Sequence, residues 1–263
     1  MFLEKFRVSI GVGMAVLILK LHKTCFLRGD TIEGTLTLEG GSLEQHIKRL
    51  FVTLSEYHDA GKNSHWETLD RVTAAEAILI AAHQAHEYTF RLTIPYTARI
   101  TTSDHTPNST QVVAEADILW SVNPSANFDI QITPDPEILV LDTALGVLGF
   151  TAVNEFFSSP VDRTLGAVQR TYTVRASLQD QITDVTLKVH VAEGQCCGIL
   201  LLNHREIHPV DYLKAVVGAD KEQVPFEILS EHLLGGQGLT FATTLLQQLL
   251  AATLKVTFNN ITS

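Results

Sequence analysis

The chain has 263 residues and a formal net charge of −10, with 19 Lys and Arg against 29 Asp and Glu. That length holds one large or two ordinary domains with an ample core, and a hydrophobic content of 45% excludes a disordered chain. No basic cluster stands ready to displace counterions from phosphates, which excludes a nucleic-acid partner. The acidic balance reads as that of a cytoplasmic protein kept in solution by its charge.

Residues 2–9 place Phe2, Leu3 and Phe6 on one side of a short helix. About one and a half turns cannot hold a membrane alone, so this helix is expected to pack on the domain, with membrane or partner contact as the alternative. Lys5 and Arg7 precede an apolar run from Ile10 to Leu19 that resembles a secretory core. The run lacks an A-x-A cleavage site, is too short to span a bilayer and merges into a strand, so it reads as structure. The sequons at Asn108 and Asn260 carry no weight without a secretory signal.

From Val16 to Glu56 the apolar residues recur every second position. Leu17, Leu19 and Leu21 form one row, Ile32, Leu36 and Leu38 a second, and Leu50, Val52 and Leu54 a third. Alternate side chains of a strand point to opposite faces, so each run buries one row. With Gly40-Gly41 as a positive-φ turn, the pattern predicts an antiparallel meander. Residues 59–64 form a polar loop, and Ile78-Leu79-Ile80 is open between strand and helix. Tyr88, Phe90, Leu92 and Ile94 alternate inward until Pro95 stops the ladder. Val112, Ala114, Ala116, Ile118 and Trp120, then Phe128, Ile130 and Ile132, complete about seven strands, the inventory of a β-sandwich.

At Pro134 the period changes. Asp135 reads as an N-cap, Pro136 as the first helical residue and Glu137 as a partner for the dipole. Ile138, Leu141, Leu145 and Leu148 make a stripe, and Gly149 ends the helix in the left-handed conformation. A helix so apolar is expected to lie buried between two lobes. The domain reading is an N-terminal sandwich lobe with its leading helix at 1–133, a connecting helix at 134–150 and a C-terminal sandwich lobe at 151–263. In the second half Tyr172 and Val174 share a face, Val185, Leu187, Val189 and Val191 form a strand, and Glu193-Gly194-Gln195 turns into a run from Cys196 to Leu202. Residues 239–252 form an amphipathic helix without a charged residue, destined for the core, with a homo-oligomer interface as the alternative. Leu254, Val256 and Phe258 alternate as a last strand.

Chemistry is sparse. His83 and His86, three apart, and His204 and His208, four apart, could each share a helix face, but zinc needs further ligands. Gly11-Val12-Gly13 lacks the third glycine of a dinucleotide fingerprint and precedes a strand instead of following one. Cys25, Cys196 and Cys197 have no basic neighbour to activate a thiolate, and adjacent cysteines in a strand face opposite ways. Trp66 and Trp120 could line a sugar-binding face, although Trp120 continues the apolar row of its strand. No catalytic residue, cofactor or metal site is nominated.

Several segments together resemble the bacterial sporulation-control protein family, whose members have an arrestin-like fold. They are Phe2-Leu3-Glu4-Lys5-Phe6 through Gly13, then Arg28-Gly29-Asp30-Thr31-Ile32-Glu33-Gly34, and Gly40-Gly41-Ser42-Leu43-Glu44-Gln45-His46-Ile47. Tyr88 through Pro95, the run from Ala116 to Pro134 and Leu148-Gly149-Phe150 follow in the same order. The resemblance implies an all-β protein of two arrestin-like antiparallel β-sandwich lobes joined by a short helix. It also implies a non-catalytic intracellular regulatory or scaffold protein that binds other proteins through loops and strand edges, in sporulation, cell division or stress control. The alternative is a β-sandwich module binding a small molecule or carbohydrate, and a third reading is a hydrolase assembled from scattered His and Asp residues.

Overall fold

The computed structural model describes residues 5–9, 15–58, 61–101, 109–118, 125–153, 157–158, 168–174, 182–204 and 221–254. The chain divides into two compact units, Met1–Thr133 and Pro134–Ser263. Strands dominate both.

The first unit is a sandwich of two sheets. One has the order β1 (Lys5–Ser9), β2 (Val16–Leu21), β4 (Thr31–Glu39) and β7 (Ala85–Thr93). The other runs β3 (Cys25–Phe26), β9 (Ser125–Ile132), β8 (Thr110–Ile118), β5 (Gln45–His58) and β6 (His65–Ile80). The rows legible in the sequence meet in one core. Leu17, Leu19, Ile32, Leu36 and Leu92 come from the first sheet, and Leu50, Val52, Val112, Phe128 and Ile130 from the second.

Four local expectations are corrected. Lys5–Ser9 is a strand, pairing antiparallel with β2, and not a helix. An amphipathic reading of so few residues does not separate the two periods, and pairing with an edge decides it. The meander expected over Val16–Glu56 is broken, because β5 crosses into the opposite sheet while β4 pairs with β2 and β7. The Gly40-Gly41 pair therefore makes no tight positive-φ turn. Gly40 is needed because a side chain there would collide with the Ala81 carbonyl. Ile78–Ile80 belongs to a strand, and Leu254 closes a helix, the remainder of the expected last strand lying outside the described residues.

The second unit opens with α1 (Pro136–Val147). Asp135 is its N-cap residue in extended conformation, but it caps through its backbone carbonyl, which accepts from Ile138 and Leu139, and not through its side chain. Gly149 has φ +92° beyond the helix end, as a left-handed terminator requires. A six-stranded sheet follows, with the order β10 (Phe150–Ala152), β12 (Val168–Val174), β13 (Ile182–Ala192), β14 (Gln195–His204) and β15 (Lys221–Leu229). β11 (Phe157–Ser158) also pairs with β12. The β13–β14 hairpin turns on Glu193 (φ +51°) and Gly194 (φ +80°). Two further helices, α2 (Ser230–Leu234) and α3 (Gly238–Leu254), close the unit. Among the described residues this unit has a single sheet, and helices supply a layer over it: α1 packs on β10, α2 and α3. Val168, Tyr172, Val185, Leu187, Val189, Cys196, Leu200 and Ile228 are the buried row on one face.

The two units share a packing device. Gly34 pairs with Phe90 across β4 and β7, and Gly198 pairs with Phe226 across β14 and β15. In each pair the phenyl ring lies over the glycine and leaves no room for a Cβ. At Gly34 a Cβ would also stand 2.5 Å from the Lys20 carbonyl oxygen. Gly146 on α1 is the contrast, with open space around its Cβ position. Gly34→Ala is therefore expected to cost about 2 kcal/mol, since neither backbone nor ring can move freely. Gly146→Ala should stabilise by up to about 1 kcal/mol through helix propensity. Urea midpoints of both variants check this.

Asp30 adds a pH dependence. Burial works to raise its pKa, but the hydrogen bonds from Lys23 Nζ and the Leu27 N–H outweigh it, so the carboxyl ends below its ordinary value. A folded-state pKa below the unfolded one gives stability that is fully present above about pH 4 and lost as the pH falls through the lower folded value. Asp30→Asn should therefore reduce the loss of stability below about pH 4, read as unfolding midpoint against pH.

Candidate functional site

The expected ligand pairs do not assemble. His83 sits in the β6–β7 turn with φ +62° and His86 in β7, so they share no helix face. His204 ends β14, and His208, Trp120 and Gly11–Gly13 lie outside the described residues. Among the described residues no three of His, Cys, Asp and Glu are placed to hold a metal ion.

A charged cluster that sequence reasoning missed lies at the end of the β5–β6 hairpin. Glu56 and His58 are buried, and Arg99 is nearly so. The Arg99 side chain meets Glu56 at 3.0 Å, and its backbone N–H donates to the same carboxylate at 2.9 Å. A guanidinium nitrogen of Arg99 stands 2.7 Å from His58 Nδ1. Arginine only donates, so Nδ1 is the accepting nitrogen and the His58 proton resides on Nε2. That nitrogen lies 2.8 Å from Glu67 Oε2 on β6. The cluster thus ties the end of β5 to the segment after β7 and to the start of β6. Glu56 and His58 continue the alternation of Leu50, Val52 and Leu54 onto the buried face, a signal that the period carries, while Arg99 reaches them from a distant segment.

β6 itself is a terminal strand of its sheet and has 16 residues. His65, Trp66, Glu67 and Thr68 at its start are exposed. Trp66 is 45% exposed and tilts against Tyr57, with ring centroids 5.3 Å apart. Trp66 was legible as a surface aromatic. That its strand would be an edge was not, because edge position depends on which strands pair.

In the second unit a cavity of about 540 Å³ opens between α1 and β10. Asp142, Gly146 and Val147 of α1 line it, with Phe150 and Ala152 of β10 and Tyr172 of β12. The Tyr172 hydroxyl donates to Asp142 Oδ1 at 3.0 Å, and Arg170 Nε lies 3.4 Å from the same oxygen. Burial, then the Asp142 charge and hydrogen bond, raise the Tyr172 pKa against the opposing charge of Arg170. The phenol therefore remains a neutral donor that fixes the carboxylate.

The cysteines differ in reach. Cys196 is fully buried, and burial, followed by the charges of Glu137, Cys197 and Asp135, pushes its thiol up to about 12. Burial and Glu227 raise Cys197 as well, while Cys25 is exposed. Disulfide-exchange titration of the native protein at pH 8 should show Cys25 reacting first, Cys197 more slowly and Cys196 only on unfolding. Fast labelling of Cys196 in the native state would contradict this placement.

Comparison with known proteins supplies the family. The SpoOM protein family model matches residues 3–196. The sporulation-control protein spo0M of Bacillus subtilis (strain 168) is 25% identical over 153 residues, which cover 57% of this chain and 58% of that protein. The match thus spans less than two thirds of the relative's length. The crystal structure of Spo0M, sporulation control protein, from Bacillus subtilis superposes with a TM-score of 0.68 at 18% identity, over 91% of this chain and 98% of that one. That likeness shows the shared all-β, arrestin-like fold. The chain belongs to the SpoOM protein family.

Proposed function

We propose, from that membership, that this chain is a non-catalytic regulatory protein of the cytoplasm that binds partner proteins through strand edges. Sporulation, cell division or stress control is the process it serves. The observation that supports the reading is β6, a long terminal strand whose first four residues are exposed. An edge strand offers unpaired N–H and C=O groups to an extended partner segment, and alternate side chains add selectivity. Trp66 gives that edge a large apolar contact, of the kind that carries binding energy in protein interfaces. Within the described residues no helix is long and apolar enough to cross a membrane.

The same tryptophan favours a second reading, a module that binds a carbohydrate on an exposed aromatic. The two separate in one experiment. A photo-crosslinking residue at Thr68 should capture discrete proteins in living cells, and Thr68→Pro paired with a crosslinker at His65 should lose them. Crosslinks no different from those of a control position on β13 would overturn partner binding at β6. Binding of oligosaccharides on an array, abolished by Trp66→Ala, would put the carbohydrate reading in its place.

A further inference from the structure

The cavity between α1 and β10 has three features that converge on one kind of occupant. The first is a backbone edge that no strand pairs with among the described residues. β10 ends the order of its sheet, and its register with β12 pairs Phe150 with Val174, Thr151 with Thr173 and Ala152 with Tyr172. The Val153 N–H donates to the Thr171 carbonyl at 2.9 Å. Hydrogen-bonded pairs alternate along an antiparallel ladder, so Thr151 is directed at β12 while the N–H and C=O groups of Phe150 and Ala152 point away from it.

The second feature is charge. Asp142 Oδ1 accepts from the Tyr172 hydroxyl and lies 3.4 Å from Arg170 Nε, and Oδ2 is the second acceptor of the same carboxylate. The adjoining end of α1 carries no basic side chain in its last turn. The negative end of the helix dipole therefore adds to the Asp142 carboxylate, and both favour a cation. The third is space. Gly146 leaves its side of the cavity open, and Val147 on the cavity wall is more than half exposed.

We infer that this cleft docks an extended segment of a partner protein, which pairs with β10 as an added strand and places a lysine or arginine against Asp142. Phe150, Ala152 and Tyr172 lie on the helix-covered face of the sheet. A strand added beside β10 sends alternate side chains to that same face, which brings one of them to Asp142 and Gly146. The apolar stem of a lysine or arginine suits a cleft walled by Val147 and Phe150, with its charged head at Oδ2. The site lies in the second unit and is independent of the β6 edge.

The test uses the full chain labelled with nitrogen-15 and the probe peptide acetyl-Thr-Val-Lys-Val-Thr-amide. Saturable amide shifts are expected at Phe150, Thr151 and Ala152, with affinity at least tenfold weaker when the peptide lysine is replaced by glutamate. Gly146→Phe fills an exposed helical position with open space around it, so it should keep the fold and abolish the shifts. Asp142→Asn, which retains an acceptor for Tyr172, should weaken the lysine peptide alone. Thr68→Pro on β6 should leave the response intact, separating this site from the β6 reading. The proposal is overturned by an absence of shifts, by equal shifts with the glutamate peptide, or by the same shifts with butylammonium alone, which would mark a small-cation site.

Discussion

The sandwich of the first unit depends on one corner. Residues 25–30 leave β3 in one sheet and enter β4 in the other. Gly29 stands at φ +83°, where a Cβ would strike the Tyr96 ring. Its N–H donates to the Ile94 carbonyl at 2.8 Å, and the Ile94 N–H donates to the Asp30 carbonyl at 2.9 Å. Arg28 is buried beneath the turn and donates to the Tyr96 carbonyl at 3.0 Å. A buried guanidinium is costly unless its donors are met, so the Tyr96 carbonyl must be held in place. Once the corner is set, the end of β7 is fixed and both apolar rows face each other. Phe26 extends the lock, since its carbonyl accepts from the Thr133 N–H where the first unit ends.

The same logic explains why two units of different composition settle on a common sheet device. A glycine that lets a neighbouring carbonyl approach would leave a gap in the ladder. Phe90 and Phe226 cover those gaps from the adjoining strand. The glycine weakens its strand, and the ring restores packing at that point. Each pair also fixes register, because a slip of one residue would move the phenyl to the wrong face.

Much of the fold was legible because burial on one face of a strand writes itself as alternation. The rows Leu17–Leu21, Val112–Ile118, Phe128–Ile132 and Val185–Val191 are buried where alternation places them. Helix α1 was legible through Pro136 and Gly149, whose backbone constraints act locally. What failed was nonlocal. Neither the pairing of Lys5–Ser9 with β2 nor the passage of β5 to the other sheet follows from period, since both depend on which strands meet. The Glu56–His58–Arg99 cluster was hidden for the same reason, since Arg99 lies 41 residues from His58. The α1–β10 cleft joins Asp142 to Tyr172 across 30 residues, and neither residue alone carries a signal.

The edges of the sheets differ in how they meet solvent, and that difference bears on where a partner strand can attach. β15 is a terminal strand interrupted by Pro225, which cannot donate to an added ladder. β6 has two shifts of register against β5, which bend the strand and divide its length into short straight stretches. Its exposed start, beside the buried Glu56–His58–Arg99 cluster, is one such stretch, held rigid from within. β10 is only three residues long, too short to recruit another chain by backbone bonds alone. At such an edge selectivity must come from a side-chain site beside it, and Asp142, held by Tyr172 and Arg170, is placed to supply it. A short edge next to a fixed charge resists indiscriminate strand pairing while admitting a segment with the right side chain.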